Sequence, residues 1–257
     1  MTIQIEKLNS FLYRFNEYNL STFYFLIGSK SNLLIDCGTG VEKIKDLIKQ
    51  IDNKPYQVVA THGHVDHIGG MNQFDEVYIH PDDIPLAKQT TVLERKDYAR
   101  RILENQPIAL FSLEQIKEEP TTAKLLSLKN HFVFDLGNHH LEVIYTPGHT
   151  AGSICLYDQD SAILFSGDTC QHLELLMITD FSFNQNLKIW QNSLQTLSHY
   201  SIKQFLGGHE SLESNILDTL LTCSQEIEKG HLKPVHKKVH IFEGNMIEYK
   251  NIHVLRP

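Results

Sequence analysis

The stretch Thr61-His62-Gly63-His64-Val65-Asp66-His67-Ile68-Gly69-Gly70 decides how the rest of the chain is read. Three imidazoles and one carboxylate fall within six residues, directly after the apolar run Val58-Val59-Ala60 and directly before a Gly-Gly pair. The apolar run reads as the end of a buried strand, and the glycines let the backbone turn sharply as it leaves. The ligand-type side chains therefore sit on a strand-to-helix loop, where a rigid scaffold presents them to one point. His62 and His64 alternate about Gly63, so in an extended segment they share a side. Asp66 and His67 follow one turn-like step later and face a second point nearby. The bland alternative is a solvated, His-rich surface loop. Ligand types in this order, between strand and glycine signals, favour metal, and the geometry suits two ions rather than one.

Working outward, 257 residues are enough to bury a full core, as one large domain or two small ones. A hydrophobic fraction of 41% and a charged fraction of 21% are ordinary for a globular protein in water. The formal charge of -8 disfavours a sequence-independent grip on phosphate backbones, and Lys233, Lys237 and Lys238 form only a small basic spot. A small-molecule substrate is expected rather than nucleic acid. No run approaches membrane-spanning length, and Met1 to Leu8 alternates like a strand and lacks the apolar core of a signal peptide. Cys37, Cys155, Cys170 and Cys223 are scattered without paired spacing. They suggest neither a disulfide framework nor a thiolate zinc knuckle, which makes the cytoplasm the default location.

Ile3 to Leu8, Phe23 to Ile27 and Leu33 to Asp36 are β-type runs, and Val41 to Ile51 carries apolar residues at helical spacing. Glu76 to Ile79 is a short strand stopped by His80-Pro81. From Pro81 onward the sequence turns charged and helix-favouring, with Val92 to Leu103 the clearest helix. Strands resume on either side, so residues 81–130 are expected to form a helical insertion within a single domain spanning 1–257. Such an insertion is a natural wall or lid for substrate, or else a plain helical cover. Leu141 to Tyr145, Ser153 to Tyr157, Ala162 to Phe165 and Gln204 to Leu206 are further strands. Leu187, Trp190, Leu194 and Leu197 stripe one helix, and Leu212, Ile216, Leu220 and Ile227 a second. The tail is expected to be a hairpin, Val239 to Phe242 against Met246 to Tyr249 about Glu243-Gly244-Asn245. Strand-rich halves, each followed by helices, predict an α+β fold of two face-to-face sheets with helices outside.

Three more loops supply ligand-type residues. Thr146-Pro147-Gly148-His149-Thr150, Ser166-Gly167-Asp168-Thr169 and Gly207-Gly208-His209 each follow an apolar run and set one such residue beside glycine. Singly each is weak; in this order and at equivalent strand ends they reinforce one another. On these motifs the chain resembles the metallo-β-lactamase superfamily of binuclear metallohydrolases, over almost its whole length. The resemblance implies an αββα sandwich of two mostly antiparallel or mixed sheets, with metals in the cleft between them. It implies His62, His64 and His149 around one ion, Asp66, His67 and His209 around a second, and Asp168 bridging both. Imidazole nitrogens and carboxylate oxygens suit a pair of divalent ions, zinc first, with iron or manganese as alternatives. The implied chemistry is a metal-bridging hydroxide, with Asp66 as the catalytic residue that orients it and carries a proton toward the leaving group.

Family β-lactamases with a thiol ligand place cysteine where this chain has Asp168, which argues against antibiotic hydrolysis. The complete set is similar to hydroxyacylglutathione hydrolases, to acyl-homoserine lactonases and to ribonuclease Z type phosphodiesterases. Gly208-His209-Glu210 matches the first of these, but Ser211-Leu212 follows where that family has a glutathione-contacting tyrosine. The expected activity is therefore hydrolysis of a small ester, thioester or lactone. Phosphodiester hydrolysis and a non-catalytic metal-binding role are the alternatives. Tyr24, Tyr98 and His172 are weaker candidates for contact with substrate, and the 170–183 loop for lining its pocket.

Overall fold

Neighbouring residues of the central strands face opposite ways, and the two faces feed different cores. Phe23 and Phe25 join one apolar cluster while Tyr24 and Leu26 join another; Leu34 parts in the same way from Leu33 and Ile35. Strands buried on both faces read as unbroken apolar runs, and that is why these segments are legible in the sequence.

The architecture is that of a computed structural model, described for residues 3–106, 110–178 and 180–256. Met1 and Thr2 of the expected first strand, residues 107–109 of the expected insertion and Thr179 of the 170–183 loop lie outside the described residues. The first sheet has seven strands in sequence order: β1 (Gln4–Lys7), β2 (Leu12–Asn16), β3 (Thr22–Ile27), β4 (Asn32–Ile35), β5 (Tyr56–Val59), β6 (Glu76–Ile79) and β7 (Lys124–Ser127). It runs antiparallel to β4 and parallel from there on. Along it come α1 (Ile44–Ile51), the single turn α2 (Val65–Ile68), α3 (Ile84–Ala87) and α4 (Val92–Glu104). A capping box between Thr91 and Glu94 starts α4.

The second sheet takes β8 (Val133–Asp135), β9 (His140–Tyr145), β10 (Ile154–Asp158) and β11 (Ile163–Gly167). Then β12 (Leu173–Leu175) leaves for a third, smaller sheet; after α5 (Phe183–Leu197), β13 (Gln204–Gly207) returns to pair parallel with β11. Last come α6 (Ile216–Glu228) and the strands β14 (Val235–Val239), β15 (Phe242–Tyr249) and β16 (Ile252–Arg256), which complete the third sheet beside β12.

Three apolar layers hold this together. Leu26, Ile35 and Val59 of the first sheet meet Val143, Leu156 and Phe165 of the second. Ile44 and Ile48 of α1 cover the outer face of the first sheet. Trp190 and Leu194 of α5, with Leu220 of α6, cover the outer face of the second. This is the αββα sandwich expected from the sequence. Among the described residues no helix is long and apolar enough to cross a membrane.

The structure departs from expectation in several places, among them the short strands β8 and β12, the latter inside the segment expected as the 170–183 loop. Leu12–Asn16 is a strand that no alternation announced, because Leu12 and Phe15 feed opposite layers. Residues 81–130 end in β7, which extends the first sheet beyond β6. Leu212 lies outside α6, which starts at Ile216. The tail is three strands, turning at His240-Ile241 and Lys250-Asn251, with Glu243-Gly244-Asn245 inside β15. Gly244 is not a turn residue; a Cβ there would lie 2.9 Å from Leu255 Cδ1, so glycine lets the neighbouring strand's leucine pack.

Candidate metal centre

All seven ligand-type residues come together at the strand ends. Loop 60–64 leaves β5, and α2 then carries Asp66 and His67. His149 leaves β9, Asp168 leaves β11 and His209 leaves β13. Possible ligand atoms of His62, His64 and His149 lie within 4.8 Å of one another, as do those of Asp66, His67 and His209, and those of His62, His67 and Asp168. The last group joins the other two. Asp168 reaches both sides: Oδ2 stands 3.5 Å from His149 Nε2 and 3.2 Å from His209 Nε2, and Oδ1 3.3 Å from His67 Nε2.

Close approach explains the glycines. A Cβ on Gly208 would lie 2.3 Å from Asp168 Oδ1 and 2.5 Å from His67 Cε1. Gly167 adopts a left-handed backbone with φ +47, turning the chain so that Asp168 points into the site.

Each buried ring is gripped from behind. The Nδ1 atom of His67 faces Asp36 Oδ2 at 2.8 Å, that of His149 faces the Leu175 carbonyl at 2.7 Å, and that of His62 faces Thr61 Oγ1 at 3.1 Å. Such partners fix the ring and leave the other nitrogen aimed inward. Asp36 itself is held in a left-handed conformation, φ 63, and also accepts from the Thr61 N–H at 2.6 Å and its hydroxyl at 2.9 Å.

Asp83 ties two of the loops together. Its Oδ2 accepts from the Gly63 N–H at 2.7 Å and the Thr150 hydroxyl at 2.7 Å, and its Oδ1 from the Gly152 N–H at 2.6 Å. One buried carboxylate thus sets the loop of His62 and His64 against the loop of His149. Neither Asp36 nor Asp83 was singled out from the sequence; the only trace of Asp36 is an acid closing an apolar strand.

The electrostatics divide the site. Burial, reinforced by neighbouring imidazoles, holds His62 well below the ordinary histidine range and pushes His149 down to about 3; burial also lowers His64. These shifts favour the neutral rings, the form that offers a lone pair to a cation; His64 Nδ1 and His149 Nε2 face each other at 2.8 Å. Burial also opposes charge on His67 and His209, but Asp168 and Asp66 outweigh it and raise both. Burial likewise opposes charge on Asp168, which His209 and His67 outweigh, so its carboxyl lies well below the usual range. The carboxylate-rich half therefore demands positive charge.

Among the weaker candidates, the Tyr24 hydroxyl donates to the Gly207 carbonyl at 2.7 Å and braces the strand before His209. The Tyr98 hydroxyl donates to the Leu20 carbonyl at 2.8 Å and has Asp66 for a neighbour. His172 is paired with Glu210 at 2.7 Å and Glu213 at 2.9 Å. A cavity of about 1080 Å³ opens above the ligands, at the upper end for small-molecule sites. Tyr98 and Ile102 of α4 line it, as do Leu173 and Leu175 of β12 and Met177 just beyond it, within the segment expected as the 170–183 loop. The turn between β14 and β15 lines it too, a contribution the sequence did not announce.

An αββα sandwich with histidines and aspartates converging at its strand ends defines a metallo-hydrolase class, and comparison with known proteins agrees. The family model of the metallo-beta-lactamase superfamily matches residues 18–209, and the chain belongs to that superfamily. It is similar to the acyl-coenzyme A thioesterase MBLAC2 of Homo sapiens, 30% identical over 210 residues, 74% of this chain and 73% of that protein. The probable metallo-hydrolase YqgX of Bacillus subtilis (strain 168) is 31% identical over 147 residues, 56% of this chain and 64% of that one. Among solved structures, a metallo-beta-lactamase from Pontibacter korlensis superposes with a TM-score of 0.62 at 20% identity, over 87% of this chain and 99% of that one. At that identity the likeness speaks for the fold alone.

Proposed function

We propose that this protein is a two-metal hydrolase that cleaves a small ester, thioester or lactone, with acyl thioesters the leading substrate class. One observation carries the proposal: His62 Nε2 is buried and hydrogen-bonded to nothing among the described residues, yet lies among converging ligand atoms, with Asp168 Oδ1, whose near neighbour is His67 Nε2 at 3.3 Å, buried beside it. Buried polar atoms left without a partner cost free energy, so a site that gathers them fits a cation. The donor set, imidazole nitrogen and carboxylate oxygen without thiolate, suits zinc, with iron and manganese as alternatives. The name of the human relative favours thioesters among carbonyl substrates.

His62, His64 and His149 would hold one ion, Asp66, His67 and His209 the other, and Asp168 both. When bound, the pair supplies Lewis acidity that lowers the pKa of water toward neutrality and polarises a carbonyl oxygen. Asp66, with Oδ2 3.3 Å from His209 Nε2 at the cavity floor, orients the attacking water and accepts its proton. Water oxygen bonds to the carbonyl carbon, the carbon–sulfur or carbon–oxygen bond breaks, and Asp66 returns the proton to the leaving atom. Asp36, Thr61 and the Leu175 carbonyl keep His67, His62 and His149 from turning away. A cytoplasmic setting completes the proposal, since all four cysteines are buried free thiols.

The test is a substrate panel. Purified protein with added zinc or manganese is offered an acyl thioester, a chromogenic ester and a chromogenic phosphodiester. Turnover of the first two supports the reading; cleavage of the phosphodiester alone overturns it.

A further inference from the structure

The roof of the cavity has chemistry that catalysis does not require. Pairing of Val239 with Phe242 leaves His240-Ile241 as a two-residue turn. Such turns usually take glycine, asparagine or aspartate, since the first residue often has a left-handed backbone, as His240 does with φ 53. Here a β-branched isoleucine occupies the second position, and Val239 and Phe242 flank the turn.

Val239, Ile241 and Phe242 belong to none of the three apolar clusters among the described residues, and neither do Leu173 and Met177. All five line the cavity above the ligands. Met177 is 48% exposed. Apolar side chains that fill no core gain free energy only when something apolar covers them. The strands around the turn are tied to the rest of the fold. The His253 N–H of β16 donates to the His172 carbonyl at 2.7 Å, and Lys238 Nζ donates to Asn105 Oδ1 at 3.3 Å, linking hairpin to α4. The family match ends at residue 209, so the hairpin lies outside the shared frame that carries the ligands.

We infer that the β14–β15 turn, with Leu173 and Met177, receives the hydrocarbon part of the substrate's acyl group, and that Ile241 and Phe242 set the preference for acyl-chain length. This rests on the hydrolase reading above and names the specificity of that same site. The acyl half is the one concerned, because the leaving groups of coenzyme-type thioesters carry amides and phosphates, which isoleucine, phenylalanine and methionine do not serve. A hydrocarbon chain is what such a wall binds, at about 0.8 kcal/mol or roughly fourfold per buried methylene.

The experiment uses metal-loaded protein and thioesters with one leaving group and acyl chains of two, four, eight and twelve carbons. In the wild type kcat/KM rises with length until the cavity is filled. In Ile241→Ser and Phe242→Ala the rise is flattened, the loss growing from under threefold at two carbons to tenfold or more at eight. Ile241→Ser, at a turn tip outside every core cluster, keeps the test open should Phe242→Ala fold poorly. Calorimetry with unhydrolysable S-alkyl thioethers supplies a readout free of turnover: binding tightens with length in the wild type and not in the variants. Equal losses at every length, or no length preference in the wild type, overturn the inference. If no ester or thioester is turned over while thioether binding still depends on length and on the hairpin, the hydrolase reading fails and the wall stands.

Discussion

At the floor of the cavity every ligand-type side chain hangs from a loop or a single helical turn that follows a strand, and the most buried rings are gripped from behind; at the roof, the end of α4 and the hairpin meet through an exposed hydrogen bond between Lys238 and Asn105. The floor is polar and over-determined. The roof sets the apolar Val239, Ile241 and Phe242, which stand outside the main cores, beside α4, and belongs in part to a segment beyond residue 209. Catalysis needs groups fixed to a fraction of an ångström, and that demands rigid strands and supporting hydrogen bonds. Selecting among substrates needs surface of the right polarity, which a hairpin tip supplies without disturbing the ligands.

That contrast can be broken most sharply at the floor. Asp66→Ala should lower kcat/KM by about 10³-fold through loss of the proton carrier, while most metal at the His62, His64 and His149 group is retained. Unchanged turnover would remove Asp66 from the mechanism. Asp83→Asn should weaken metal binding by roughly 10- to 100-fold, because one amide oxygen cannot replace three acceptor contacts across two loops. Chelator competition measures this, and an affinity equal to wild type would show that the loops hold themselves.

A third prediction concerns stability. Buried Glu17 accepts from the N–H groups of Thr39 at 2.6 Å and Val41 at 2.8 Å, while Arg95 of α4 donates to the Thr39 carbonyl at 2.7 Å and the Gly40 carbonyl at 2.6 Å. Together they clamp the loop that packs on Gly70. Burial pushes the Glu17 carboxyl up to about 7 from 4.5. The folded-state value lies above the unfolded one, so this contribution to stability is whole below about pH 4.5 and is lost as pH rises through about 7. Denaturant titrations of wild type and Glu17→Gln in parallel should show the wild type losing stability relative to the variant over that window, by an amount of order 3 kcal/mol. A difference between the two that does not change with pH would remove Glu17 from the pH dependence. The smallest effect belongs to the roof: Lys238→Ala should change stability by under about 1 kcal/mol, because the bond it removes is solvent-exposed. A larger loss would mean that the hairpin is held by that bond rather than by its strand pairing.

Much of the floor was legible in the sequence because metal-ligand chemistry restricts residue types. His62, His64, Asp66 and His67 stand within one short stretch, and His149, Asp168 and His209 each sit beside a glycine that close approach or a left-handed backbone requires. Asp36 and Asp83 were not legible, since an isolated carboxylate has no pattern until the fold brings Thr61, Gly63 and Thr150 to it. The roof was misread for a related reason. Gly244 looks like a turn residue in the sequence, but it serves Leu255 on the adjacent strand, and the true turn carries isoleucine. Local propensity failed where cross-strand packing on one side and a cavity on the other decided which residues were used.

Metal titration of the stripped protein tests the central claim most directly, with cobalt followed by absorbance and the endpoint checked by elemental analysis. Two equivalents per chain, with binding lost in Asp168→Ala on both sides of the shared carboxylate, is the predicted result. Saturation at a single equivalent, or an endpoint indifferent to Asp168, would contradict it.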